Sequence, residues 1–327
     1  MRRFFFVLLA GALVIAGLAI GWLNSPLTLA SPTVDLPIEP GTSPRSVASD
    51  AVTAGVQTSP LLLFAWFRIS GQARQIKAGN YELEAGVTPW RLLAKLTRGE
   101  EALRSVTLVE GWNFRQVRQA LSKAEQLAQD SYGLGNDSIM EKLGQAGRPP
   151  EGRFYPDTYT YAKDSSDLKV LQRAMQAMDR HLQAAWDARD QALPLKSPED
   201  LLTLASIVEK ETGSAQDRDM VAAVFTNRLR IGMLLQTDPT VIYGMGEKFD
   251  GNLRRRDLLT DTPWNTYTRA GLPPTPIAMP GKAALMAAAQ PAKTKALYFV
   301  ARGDGSSQFS DTLDAHNRAV NTYQRGQ

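Results

Sequence analysis

Ser197-Pro198-Glu199-Asp200-Leu201-Leu202-Thr203-Leu204-Ala205-Ser206-Ile207-Val208-Glu209-Lys210-Glu211-Thr212 has a complete helix start. Ser197 can cap the helix, Pro198 suits its first turn, and Glu199 and Asp200 are favoured by the helix dipole. The helix is expected to stop near Gly213. On a wheel of about 100° per residue the apolar residues gather on one side and Lys210 falls opposite, in water. Glu209 and Glu211 fall on the two shoulders of the apolar arc, Glu211 slightly nearer its centre. A carboxyl at such a boundary is partly desolvated, which raises its pKa and keeps it protonated near neutral pH. A general acid for glycosidic cleavage needs that property. The same geometry allows both glutamates to be surface residues paired with nearby basic side chains.

Towards the C-terminus a second helix is expected over residues 217–231, with Val221, Val224, Phe225 and Leu229 inward and Gly232 ending it. Beyond it come Gln236-Thr237-Asp238-Pro239-Thr240, Tyr243-Gly244-Met245-Gly246, Asn265-Thr266-Tyr267-Thr268 and Gly271-Leu272-Pro273-Pro274. These polar, aromatic and turn residues look like loops lining a groove. Gln236, Thr237, Asp238, Tyr243, Asn265 and Tyr267 are candidates to hold sugars, which offer hydroxyls on their edges and C–H surfaces on their faces. Most glycosidases use two carboxylates, so Asp238 and Asp257 are candidates for the second. Asp238 directly before Pro239 also suits a simple turn. Residues 297–301 read as a buried strand, and Arg302-Gly303-Asp304 as a turn.

Towards the N-terminus, residues 103–110 alternate as a strand and Asn113 can cap a helix with the stripe Phe114, Val117 and Leu121. Asp167 can cap a longer helix whose core stripe is Leu168, Leu171, Met175, Met178, Leu182 and Trp186, with His181 beside it. Residues 24–40 read as a linker ending in a strand at 34–38. Helices over 44–54 and 60–69 follow, then a strand over 75–83 interrupted at Ala78-Gly79-Asn80. This strand–helix–helix–strand order resembles a LysM module, which grips N-acetylglucosamine polymers. Any small α+β packing module would give the same order. Thr88-Pro89-Trp90 opens a short helix ending at Gly99. Residues 4–23 are apolar and uncharged over about 20 residues, the length that spans a hydrocarbon core. Arg2 and Arg3 precede them, which places that end in the cytoplasm and the remainder outside. A retained anchor is expected, because Thr28-Leu29-Ala30 makes a poor cleavage site; a cleaved signal peptide is the alternative.

Composition narrows the chemistry. The 327 residues contain no cysteine, which removes disulfides, thiolate nucleophiles and cysteine zinc sites. His181 and His316 are the only histidines, so a histidine-rich metal site is excluded. No G-x-S-x-G, Walker or dinucleotide pattern occurs. A net charge of +4 carries no nucleic-acid footprint. Carboxylates, hydroxyls, lysine or arginine must carry any catalysis.

Several runs resemble the YceG-like family of endolytic murein transglycosylases: Leu204 to Thr212 quoted above, Val224-Phe225-Thr226-Asn227-Arg228-Leu229, Leu235-Gln236-Thr237-Asp238-Pro239-Thr240-Val241-Ile242-Tyr243-Gly244, and Asn265-Thr266-Tyr267 with Gly271-Leu272-Pro273-Pro274. Glu151-Gly152-Arg153-Phe154-Tyr155-Pro156-Asp157-Thr158-Tyr159 is similar to that family's E-G-x-F-x-P-D-T-Y segment. Gln308 departs from the histidine found in many relatives. The resemblance implies that Glu211 is the catalytic acid. It would protonate the oxygen between N-acetylmuramic acid and N-acetylglucosamine, then take the proton of the muramic C6 hydroxyl as that oxygen closes a 1,6-anhydro ring. One carboxyl then suffices, with no cofactor or metal. The implied partners are peptidoglycan glycan strands, the inner membrane and peptidoglycan synthases, and the implied role is to limit strand length.

The expected molecule is thus an α+β protein of the inner membrane with its catalytic part in the periplasm. Residues 1–25 form a cytoplasmic stub and transmembrane helix, 26–102 a linker and LysM-like module, and 103–327 a catalytic domain of helices and short strands. The alternative is a non-catalytic peptidoglycan-binding scaffold for cell-wall synthases.

Overall fold

The computed structural model describes residues 2–211 and 216–326 and is a mixed α+β structure. It divides into two compact units. The first holds the residues up to Arg104 together with Thr160–Asp164; the second holds Ser105–Tyr159 and the residues from Ser165 onward.

In the first unit, α1 (Arg2–Asn24) contains an apolar stretch, Phe6–Asn24, long enough to cross a membrane. The segment after it is not slack. Leu27 is buried, and β1 (Thr28–Leu29) pairs with β3 (Val56–Gln57). β2 (Thr33–Ile38) pairs antiparallel with β4 (Gly79–Glu84). Strict alternation turns Val34, Leu36 and Ile38 inward. The expected interrupted strand over 75–83 begins only at Gly79, after a single 3₁₀ turn at Ala73–Gln75. Between the strands lie α2 (Pro44–Ala54), capped by Ser43, and α3 (Pro60–Ile69). α4 (Pro89–Arg98) follows, capped by Thr88 and closed by Gly99. Val34, Leu36, Val47, Leu63, Phe67, Tyr81 and Leu92 belong to one shared core.

β5 (Leu103–Thr107) pairs with β6 (Thr158–Ala162). Between them lie α5 (Phe114–Ser122) and α6 (Asn136–Lys142). A reciprocal capping box of Asn113 and Gln116 starts α5. α7 (Asp167–Asp187) is capped by Ser166, not by Asp167. The Asp167 carboxylate is buried and instead accepts from the Ser131 amide and hydroxyl.

α8 (Pro198–Glu211) is the axis of the second unit. Residues Leu201 to Val208 are all buried, so the expected one-sided wheel gives way to a helix enclosed on every face. It packs against α7, α9 (Arg218–Arg230) and α12 (Lys282–Ala289). The polar residues on α8 are satisfied locally. The Thr203 hydroxyl donates to the Glu199 carbonyl, and Ser206 donates to the Thr203 carbonyl and accepts from the Ile277 amide. Lys210 is exposed, as the wheel predicts. The expected stop at Thr212 and Gly213 lies outside the described residues.

The runs around Asp238 and Tyr243, expected as loops, form α10 (Asp238–Met245). Pro239 sits in its first turn, where a missing amide costs nothing. α11 (Arg255–Leu259) follows. Residues 297–301 are not a buried strand: β7 (Tyr298–Ala301) pairs with β8 (Ser307–Ser310), and within β7 only Val300 is buried. Residues 302–306 turn between the two strands, and α13 (Leu313–Gln324) ends the described chain's regular structure.

Candidate active site

Three glutamates of the second unit are desolvated, and each is held differently. Glu211 is the last described residue of the buried helix α8. Its Oε1 accepts a hydrogen bond from the Thr237 hydroxyl. Desolvation raises its pKa and the charge of nearby Asp238 raises it further, while the Thr237 bond and the Arg228 guanidinium pull it down. The Glu211 carboxyl is therefore protonated to higher pH than an ordinary one.

The groups around Glu211 are built by two segments that lie far apart in sequence. The Gln236 amide donates to the Thr266 carbonyl, and the Thr237 amide to the Thr266 hydroxyl, both at 3.1 Å. Thr240 and Thr266 share a hydroxyl–hydroxyl bond of 2.8 Å. The Tyr267 hydroxyl donates to Asp238 Oδ1 at 2.5 Å. Gln236 holds a left-handed backbone (φ 52°), uncommon for a residue with a side chain, and is exposed. Arg228 braces the same place: its guanidinium donates to the Leu234, Leu235 and Leu297 carbonyls.

Thus Gln236, Thr237, Asp238 and Tyr267 are gathered beside Glu211. Asn265 is fully buried, and its amide donates to the Leu258 and Thr260 carbonyls while its oxygen accepts from the Tyr267 amide. That side chain shapes the turn presenting Tyr267. Of the two aspartates considered for a second carboxylate, Asp238 adjoins Glu211, whereas Asp257 caps α11 by accepting from the Arg254 amide.

Glu209, two residues before Glu211 on α8, accepts from the Gly281 amide at 2.9 Å and so ties α8 to the start of α12. Burial raises its pKa, and that bond opposes the shift. A side chain at Gly281 would have to displace the Glu110 side chain, whose Oε1 lies 1.8 Å from where a Cβ would sit.

The third glutamate was quoted in sequence only as part of a motif. Glu151 is 6% exposed. Both its oxygens accept from the Phe114 amide at the start of α5, and Oε2 accepts from the Tyr243 hydroxyl at 3.0 Å. Burial pushes its pKa up to about 7 against these bonds. Gly152 beside it (φ 78°) lets the chain pass where a Cβ would meet Pro276 at 2.6 Å. Tyr243 meets Trp264 edge to face at 5.4 Å, and the Trp264 indole donates to Thr275. Glu151, Tyr243 and Trp264 line a groove of about 1210 Å³ together with Lys210, Pro239 and Ile242. Glu211 is not one of its lining residues, but its chain neighbour Lys210 is, as is Pro239 next to Asp238. Tyr243 therefore lines the groove from α10, apart from the Glu211 cluster.

Neither histidine joins these sites: His181 stacks on Tyr155 and His316 on Tyr298. Among the described residues no group of histidine, aspartate and glutamate could hold a metal ion.

Fold and site together define an α+β protein whose strongest acid–base candidate is one desolvated carboxyl on a core helix. Residues 36–322 match the signature of the YceG-like family, and the chain belongs to that family. An endolytic murein transglycosylase of Bacillus subtilis (strain 168) is 31% identical over 308 residues, covering 89% of this chain and 85% of that protein. An endolytic murein transglycosylase of Streptococcus pneumoniae (serotype 2) is 26% identical over 321 residues, and the chain spans 58% of its length. The crystal structure of a yceG-like protein from Listeria monocytogenes aligns with a TM-score of 0.56 at 28% identity, covering 88% of this chain and 98% of that one.

Proposed function

We propose that this protein is a membrane-anchored lytic transglycosylase that cuts within peptidoglycan glycan strands. Family membership and the names of the relatives support the class of activity. The single observation that carries the assignment to a residue is Glu211: a carboxyl desolvated by the fold, with one oxygen held by Thr237.

Protonated Glu211 donates to the glycosidic oxygen, and the N-acetylglucosamine O4 leaves with that proton. The resulting carboxylate takes the proton of the muramic C6 hydroxyl as O6 bonds to C1. The products are a strand with a free O4 and a strand with a 1,6-anhydro end, and no water is consumed. Thr237 orients the carboxyl and steadies its ionised form between the two proton transfers. Gln236, Asp238, Tyr243 and Tyr267 contact the glycan, and Asn265 positions Tyr267. Cutting nascent strands from within ends their elongation.

The domain assignment is α1 with residues 1–25 as anchor, 26–102 as a LysM-like module holding glycan without chemistry, and 103–327 as the catalytic part in the periplasm. The pairing of β2 with β4, with α2 and α3 between them in the chain, supports the module, and Arg2-Arg3 before the apolar stretch supports the orientation. Peptidoglycan synthases fit as partners because they make the strands to be cut.

The test is to incubate the full-length protein in detergent with long purified glycan strands and follow strand length. Early appearance of mid-length strands supports cutting from within. Binding of strands that never shorten would mean a scaffold instead of an enzyme.

A further inference from the structure

The outer face of α3 is apolar and bare. Leu63 and Phe67 point into the core, yet Leu61, Leu62, Ala65 and Ile69 are exposed, Ile69 at 81%. With half-buried Trp66, the spacing 62, 65/66 and 69 makes a second apolar stripe on the opposite side of the helix. Trp66 leans on Trp90 at the start of α4, ring centroids 5.3 Å apart, and Trp90 is 57% exposed. Arg68 on α3 and Arg91 on α4 are exposed. Contiguous exposed apolar surface of this kind marks an interaction site.

The end of α1 says what covers it. The apolar stretch Phe6–Asn24 has 19 residues, about 28 Å at 1.5 Å per residue, close to the roughly 30 Å of a hydrocarbon core. The membrane surface then falls at the C-terminal end of α1, and almost no chain separates it from the first unit. Trp22 packs on that unit's core, and the Leu27 amide already donates to the Val87 carbonyl at 2.8 Å. Val87 leads into α4, and the Pro89 carbonyl accepts from the Trp66 indole at 3.1 Å. The exit of α1, the start of α4 and the bare stripe of α3 are therefore linked by direct contacts.

We propose that α3 and the start of α4 form a membrane-docking surface, with Leu61, Leu62, Trp66, Ile69 and Trp90 seated at the headgroup–acyl boundary of the bilayer that α1 enters. This rests on α1 being a retained span. The 10 residues of α3 extend about 15 Å, and interfacial helices sink about 5–10 Å into that boundary. Tryptophans favour this depth, and Arg68 and Arg91 suit anionic headgroups. The span and the surface together would fix the first unit against the membrane instead of leaving it to swing on a tether.

Because the chain has no cysteine, single labels can be placed cleanly. The full-length protein carrying Ile69→Cys or Leu13→Cys is labelled with a polarity-sensitive fluorophore. Each is then reconstituted in vesicles of zwitterionic and anionic phospholipids with brominated acyl chains. The expected result is severalfold quenching by lipid at both positions, with shielding of the label at 69 from aqueous iodide. Adding Leu62→Glu to the Ile69→Cys chain should reduce the quenching at 69 and leave that at 13 unchanged in its own chain. Quenching at 13 with a freely iodide-accessible label at 69 overturns the docking surface while the span stands. Quenching at 69 without quenching at 13 supports the surface and refutes the span. Shielding at 69 by glycan strands but not by lipid also overturns the proposal.

Discussion

Glu151 and Glu211 are both glutamates that the fold desolvates, yet they differ in how their oxygens are occupied. Glu151 is closed in: the Phe114 amide reaches both oxygens and the Tyr243 hydroxyl reaches one. Glu211 is bonded, among the described residues, by the Thr237 hydroxyl at one oxygen. Burial raises both pKa values, so a raised pKa alone does not distinguish a proton donor from a structural carboxyl. The occupancy of the oxygens does. A carboxyl whose lone pairs are taken up by a helix start and a tyrosine holds a groove wall together. One with an oxygen that has no partner among the described residues is placed to exchange a proton with a ligand.

The largest expected effect follows from removing the exchangeable proton. Glu211→Gln should lower kcat by at least the ~10²–10⁴-fold that general acid–base catalysis contributes, with thermal stability and glycan binding retained. Glu151→Gln should instead act on stability and its pH dependence. The folded state raises the Glu151 pKa from 4.5 to about 7, so the folded protein holds this proton more tightly than the unfolded chain. Stability from this group is present below the ordinary carboxyl range and is lost as pH rises towards 7, by on the order of 3 kcal/mol. Urea melts at about pH 5 and about pH 8 should show that loss in the native protein and a flatter profile in Glu151→Gln. If Glu151→Gln abolished turnover at unchanged stability, the contrast between the two carboxyls would be reversed.

Smaller effects sharpen the contrast. Thr237→Val removes the bond that favours the ionised Glu211, so the alkaline limb of the kcat profile should move to higher pH. Asp238→Asn removes the neighbouring negative charge, so the same limb should move to lower pH. Shifts in the same direction would mean that another group controls the limb. Tyr267→Phe deletes one hydrogen bond to Asp238 and should reduce turnover severalfold while lowering the melting temperature by only a few degrees. Glu209→Gln keeps an acceptor for the Gly281 amide and should cost the least; a loss matching that of Glu211→Gln would give Glu209 a direct part in the chemistry.

Much of this was legible in residue order and some was not, for physical reasons. The helix start at Ser197 and the two acids at the far end of α8 could be read locally. Enclosure of α8 on all sides could not, because Thr203 and Ser206 look like a polar face until their bonds to Glu199, Thr203 and Ile277 are seen. α10 was hidden by Pro239, Gly244 and Gly246, which signal turns. Pro239 falls in the first turn, and a Cβ at Gly244 would meet the Thr262 hydroxyl at 2.5 Å. The partners of Glu151 lie 37 and 92 residues away, so its burial left no local trace. Asn265 stood out as a polar residue in a motif, but its polarity is spent on the backbone of its own turn.

The most direct test of Glu211 as the one acid–base carboxyl is the chemistry of the newly made glycan ends. Full-length native protein and Glu211→Gln are each incubated with purified strands in water carrying heavy oxygen, and the ends are identified by mass spectrometry. The native protein should make 1,6-anhydro-muramyl ends containing no heavy oxygen, and Glu211→Gln should make almost none. Reducing ends carrying heavy oxygen, or anhydro ends made by Glu211→Gln at near-native rate, would contradict the account.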